Sequence, residues 1–156
     1  MNSLNAHKST PNTQADMSQT IERTALTQLV TNEQYARKVL PFMKGDYFAD
    51  KTERTVFEEI TKFVDKYNKI PTQTSLEIEV SSRKDLNEEE FKKVVAVIQT
   101  LESTDVDFEW LVNTTEQFCK DKAVYNAIVE GISIIDGKDK DVEFSSTDYE
   151  LSLVEL

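Results

Sequence analysis

Apolar positions recur along most of this chain at steps of three and four, the period of an α-helix. The longest series runs from Asp107 to Asp136. Phe108, Leu111, Phe118, Tyr125, Val129 and Ile132 carry it, with Thr115 and Lys122 filling the gaps. No proline interrupts it. The Asp107 carboxylate is placed to accept from the free amides of the first turn. Gly137 suits the end, with Lys138 and Lys140 at the negative pole of the helix dipole. A helix of roughly 30 residues is about 45 Å long. That exceeds the need of one small domain. Its stripe calls for cover from a second helix, of this chain or of a copy of it.

The rest of the pattern is also helical. Ile21, Ala25 and Leu29 repeat every four residues in a helix capped by Ser18 or Thr20 and running to about Val30. Thr31 with Gln34 forms a capping-box pattern for a second helix carrying Tyr35, Ala36, Val39 and Leu40, which Pro41 ends. The tight connection predicts a hairpin of the two. Phe48 reads as a core plug ahead of a third helix, opened by Asp50 and Glu53 and lined by Val56, Ile60, Phe63 and Tyr67. Leu76 to Val80 alternates with period two, as a strand does, yet no second strand is legible to pair with it. A short helix from Thr72 to about Ser81 is therefore expected. Asn87 with Glu90 opens a fifth helix along Phe91, Val94, Val95, Ile98 and Leu101. After the long helix comes a polar turn, then a last helix from Ser145 with Tyr149, Leu153 and Leu156 on one face. It begins about seven residues after the long helix ends, so the two are expected to fold back as an antiparallel pair. The apolar pattern still runs at Leu156, so more protein is expected beyond it.

The fold class is thus all-α: a small helical bundle followed by a long antiparallel helical hairpin. Residues 1–17, polar and without periodicity, read as a disordered tail. Residues 18–102 form the bundle and 103–156 the hairpin. Three glycines and three prolines in 156 residues are too few for the turns of a sandwich or barrel. No apolar run reaches the length of a membrane span, and no basic stretch precedes an apolar one as in a signal peptide.

Charge changes the picture at the C-terminal end. Residues 1–50 hold five Lys/Arg and five Asp/Glu, residues 51–100 nine and ten, and residues 101–156 four and fourteen. The last third therefore repels phosphate and suits a basic partner better than DNA. The plainer role of such charge is a solvated face that keeps the chain soluble.

Candidate chemistry is sparse. The one cysteine, Cys119, excludes an internal disulfide, fits a reducing compartment and sits beside Phe118 as a packed residue. The one histidine, His7, lies in the tail. There is no phosphate-binding glycine loop and no H-E-x-x-H pair. Asp136, Asp139 and Asp141 lack the glycine and glutamate of a calcium loop, since Asp141 and Thr147 stand in those places. Glu58/Glu59 and Glu88 to Glu90 read as solvated or capping carboxylates. Lys92 and Lys93 on the fifth helix read as ordinary surface, and Lys62 and Lys66 as an i,i+4 pair on the polar side of the third. No catalytic, cofactor-binding or metal residue is assigned, and the chain reads as an interaction module.

The order of features resembles a known family. It comprises Thr24-Ala25-Leu26-Thr27-Gln28-Leu29-Val30, Tyr47-Phe48, Glu53 to Ile60, and Tyr67-Asn68-Lys69-Ile70-Pro71-Thr72. Trp110-Leu111-Val112 and Phe118 to Ile128 follow on the long helix. Together these look like the N-terminal domain of hexameric replicative DNA helicases of the DnaB type, tailed-phage branch. The resemblance covers residues 20–156. It implies a bundle and hairpin whose copies pair and assemble as a collar on a ring of ATPase domains. ATP and Mg are expected only in that C-terminal part. Primase and helicase loaders dock on or near the collar, DNA is met only indirectly, and the setting is the bacterial host cytoplasm. The candidate subunit interface is Phe108, Leu111, Phe118, Lys122, Tyr125, Val129, Ile132, Tyr149 and Leu153. The competing reading is a stand-alone acidic helical adaptor or regulator that binds a basic partner.

Overall fold

The computed structural model describes residues 13–137, with side chains from Thr20 onward. The tail as far as Asn12, with His7, lies outside them. So do the polar turn from Lys138 and the expected last helix with Tyr149, Leu153 and Leu156. Among the described residues there are six α-helices and no strand. They are α1 (Thr13–Thr31), α2 (Glu33–Val39), α3 (Lys51–Tyr67), α4 (Gln73–Ser81), α5 (Glu88–Gln99) and α6 (Phe108–Ile135). Short 3-10 turns at Leu40–Phe42 and Gly45–Tyr47 join α2 to α3.

Local capping chemistry sets most helix starts. Asp50 Oδ1 accepts from the Glu53 amide at 2.9 Å, and Asp107 Oδ1 from the Trp110 amide at 2.8 Å. Asn87 and Glu90 form a reciprocal capping box, as do Thr72 and Ser75 at α4. Two expectations move. The cap of α2 is Asn32, whose side chain accepts from the Tyr35 amide at 3.0 Å. Thr31 is instead the last residue of α1, and its hydroxyl donates to the Thr27 carbonyl at 2.8 Å. The start of α1 lies at Thr13, upstream of Ser18, because Gln14, Ala15 and Met17 are good helix formers even without an apolar face. Helix α3 ends on Asn68, the one non-glycine residue with positive φ (54°) among the described residues. Gly137, with φ +67°, follows α6, and its amide donates to the Ile134 carbonyl.

The stretch Leu76 to Val80 is helical. Leu76 and Val80 are fully buried, while Ile78 between them is 63% exposed, so burial follows the four-residue step and not the alternation.

The chain divides into two compact units within α6, the first ending at Lys120 and the second beginning at Asp121. In the first, α3 packs against α1, α4 and α5, and α2 packs back on α1. The core includes Leu26, Leu29, Tyr35, Phe48, Val56, Ile60, Leu76, Val80, Ile98 and Leu101. From α6 it takes Leu111, Val112, Phe118 and Cys119. Thr115, fully buried, shares a 2.7 Å hydrogen bond with the Tyr35 hydroxyl, which satisfies both groups and ties α2 to α6.

Burial raises the Tyr35 pKa above its ordinary value, and it pushes the Cys119 thiol up to about 11. The folded chain thus holds both protons more tightly than the unfolded chain does. The stability this gives is complete below the unfolded values, near 9 for the thiol and 10 for the phenol, and is lost as pH rises past them. Thermal melts followed by circular dichroism should therefore fall above about pH 9. Tyr35→Phe should flatten the part of that fall above about pH 10.

Among the described residues three carboxylates are buried in this first unit: Glu22, Glu53 and Glu59. Glu22 Oε1 accepts from the Ala49 amide, just ahead of α3, where the positive end of the helix dipole favours negative charge. Glu53 receives Arg23 at 3.0 Å. Glu59 is a correction to the expectation of a solvated carboxylate. Its side chain is 4% exposed and bonds Arg83 at 3.0 Å and Lys62 at 3.3 Å. Arg83 comes from 24 residues further on and brings the compensating charge that local sequence does not show. The same guanidinium grips Asp85, and this hydrogen bond lowers the Asp85 pKa to about 2. Lys92 and Lys93 pair with Glu88 and Glu89 one turn back, as ordinary surface charges do.

Candidate subunit interface

The two units give α6 two different environments. As far as Lys120 it buries one side in the core. In the second unit six large apolar side chains of the helix are exposed, Val124, Tyr125, Ile128, Val129, Ile132 and Ile135, while Ile134 is half-buried. At about 100° per residue these six occupy an arc of roughly 140°, broader than the single stripe needed to meet one neighbouring helix. Their exposures run from 44% at Val129 to 84% at Ile135, which leaves a contiguous apolar face. Asp121 and Asp136 stand at its two ends. Gly131 lies at its margin, and nothing comes within 4 Å of a Cβ built there. Packing among the described residues therefore does not explain a glycine at a mid-helix position, where it costs about 1 kcal/mol relative to alanine.

The sequence-chosen interface residues separate accordingly. Tyr125, Val129 and Ile132 lie on the exposed face. Phe108, 38% exposed, opens α6 in the first unit. Leu111 and Phe118 are buried in that unit's core, at 3% and 7% exposure, so their surface is already covered by their own chain. Lys122 is half-buried, and its ammonium lies 6.0 Å from the centre of the Tyr125 ring, at the outer limit of a cation–π contact. Tyr149 and Leu153 fall outside the described residues. Val124, Ile128 and Ile135 were missed. The signal for them is that beyond Lys120 the apolar residues run in two interleaved lines, 124–128–135 and 125–129–132, where one line is enough for a narrow seam.

The arrangement offers apolar area. Among the described residues there is no cluster of three or more His, Cys, Asp or Glu side chains set to hold a metal. No helix among them is long and apolar enough to cross a membrane.

No family model matches the chain. It is similar to a DnaB-like replicative helicase of Enterobacteria phage T4, with 28% identity over 109 residues. That is 70% of this chain and 23% of the relative. The chain thus matches a region of a DnaB-type phage helicase and spans about a quarter of the length of the relative it matches.

Proposed function

We propose that this chain is the N-terminal collar and oligomerisation domain of a replicative DNA helicase. It organises the ring through self-association and presents a surface to primase or a helicase loader in the host cytoplasm. The observation that carries the reading is the exposed apolar face from Val124 to Ile135 in a chain with a net charge of −11. Such a face is costly to leave in water, and a second copy of the same helix is a self-complementary cover for it. The similarity to the T4 DnaB-like replicative helicase supports the same reading. ATP and Mg belong to a motor outside these residues, and contact with DNA is indirect.

The acidic C-terminal third favours a second reading, an adaptor that binds a basic partner without pairing with itself. Light scattering across a wide concentration range separates the two. A dimer or larger species is expected, and a strict monomer at the highest concentration would sink the collar reading.

A further inference from the structure

The chain's only tryptophan, Trp110, is 55% exposed on α6. By helical spacing it lies roughly opposite Val112, Thr115 and Cys119, which are buried, so it points away from the core of the first unit. Tryptophan is the side chain with the most to gain from being covered, and the one most enriched at the centres of protein interfaces. Its charged neighbours along the chain are of one sign, although the fold also brings Lys38 to a cleft with Phe108 and Glu109, and Arg23 to Thr100. From Val94 to Cys119 there is no lysine or arginine, and there are five acidic residues: Glu102, Asp105, Asp107, Glu109 and Glu116. Glu116 pairs with Lys120 at 3.1 Å. The other four are exposed, and among the described residues no cation forms an ion pair with them. Phe108, in the same turn of α6, adds a second partly exposed ring.

An indole face with nearby carboxylates recognises a cation in two ways. The ring quadrupole attracts it, and the carboxylates accept its hydrogen bonds. The same charges repel a phosphate backbone. We infer that Trp110, with Glu102, Asp105, Asp107 and Glu109, forms a docking surface for a lysine- or arginine-bearing segment of a partner protein. This surface shares no residue with the face from Val124 to Ile135.

Because Trp110 is the only indole, its emission reports on this surface directly. The whole chain would be titrated with an unstructured lysine- and arginine-rich peptide. A saturable change in emission is expected, with affinity falling about tenfold from low salt to about 0.5 M salt. Glu102→Gln, Asp105→Asn and Glu109→Gln together, which spare the capping Asp107, should weaken binding about tenfold. Trp110→Ala, followed through a fluorescent label on the peptide, should weaken it about threefold. Glu88→Gln with Glu89→Gln, an equally exposed acidic pair on α5, should change nothing. The inference is overturned if no saturable change appears, or if the α5 pair matters as much as the α6 set. It is also overturned if a single-stranded oligonucleotide gives the same signal. A shift in emission with protein concentration alone would assign the surface to self-association instead.

Discussion

Replacing Phe48 by alanine is expected to lower the stability of the chain by about 3–5 kcal/mol. Phe48 is fully buried and stacks on Phe57, with ring centres 4.9 Å apart and planes 30° apart. The loss has two parts, the apolar area returned to water and the cavity left where the ring stood. The ring pair contributes a further share of about 1 kcal/mol. Collapse around the gap is restricted, because Arg54 donates from Nε and Nη2 to the Phe48 carbonyl and holds the backbone against the start of α3. A domain of ordinary stability has only about 5–15 kcal/mol in total, so the variant should be partly unfolded at 37 °C. Urea unfolding of the wild type, Phe48→Ala and Phe48→Leu is the measurement. Leucine refills most of the volume and should recover more than half of the loss. A change below about 1 kcal/mol in the alanine variant would mean that the residue is not the core plug.

What was legible beforehand follows a physical division. Helix starts at Asp50, Asn87 and Asp107 are readable because cap and target amide lie three residues apart and need nothing else. Even so, Asn32 took the cap from Thr31, since a neighbouring side chain of better capping chemistry stood one residue on. The all-helical class was readable from periodicity and from the shortage of turn residues. The buried carboxylates were not. Glu59 looks like any surface glutamate until Arg83 arrives from 24 residues away, and burial of a charge depends on that distant partner. The stripe on α6 shows the same limit. Its period continues unbroken from Leu111 to Ile132, but period says only which positions share a side. Whether that side meets this chain's core, as at Leu111 and Phe118, or stays open, as at Tyr125 and Ile132, depends on where the other helices end.

Ile128→Glu combined with Ile132→Glu is expected to separate association from folding. The two side chains are 56% and 53% exposed and lie one turn apart on the open face of α6. Glutamate is a good helix former, and surface changes of this kind usually alter stability by less than about 0.5 kcal/mol. Far-UV circular dichroism and the urea midpoint should therefore stay close to wild type. Association responds differently. Covering the remaining half of an isoleucine stabilises a complex by about 1 kcal/mol, and in a two-fold pair both sites count twice, giving about 4 kcal/mol. That corresponds to roughly a thousandfold weaker association, before any cost of bringing carboxylates together in an already acidic region. Sedimentation equilibrium on the wild type and the double variant reads the difference. Ile78→Glu on α4, where a single isoleucine is 63% exposed away from any such face, serves as the control and should associate like wild type. If the double variant associates as tightly as the control, the open face of α6 is not what joins the copies, and the collar reading loses the observation on which it stands.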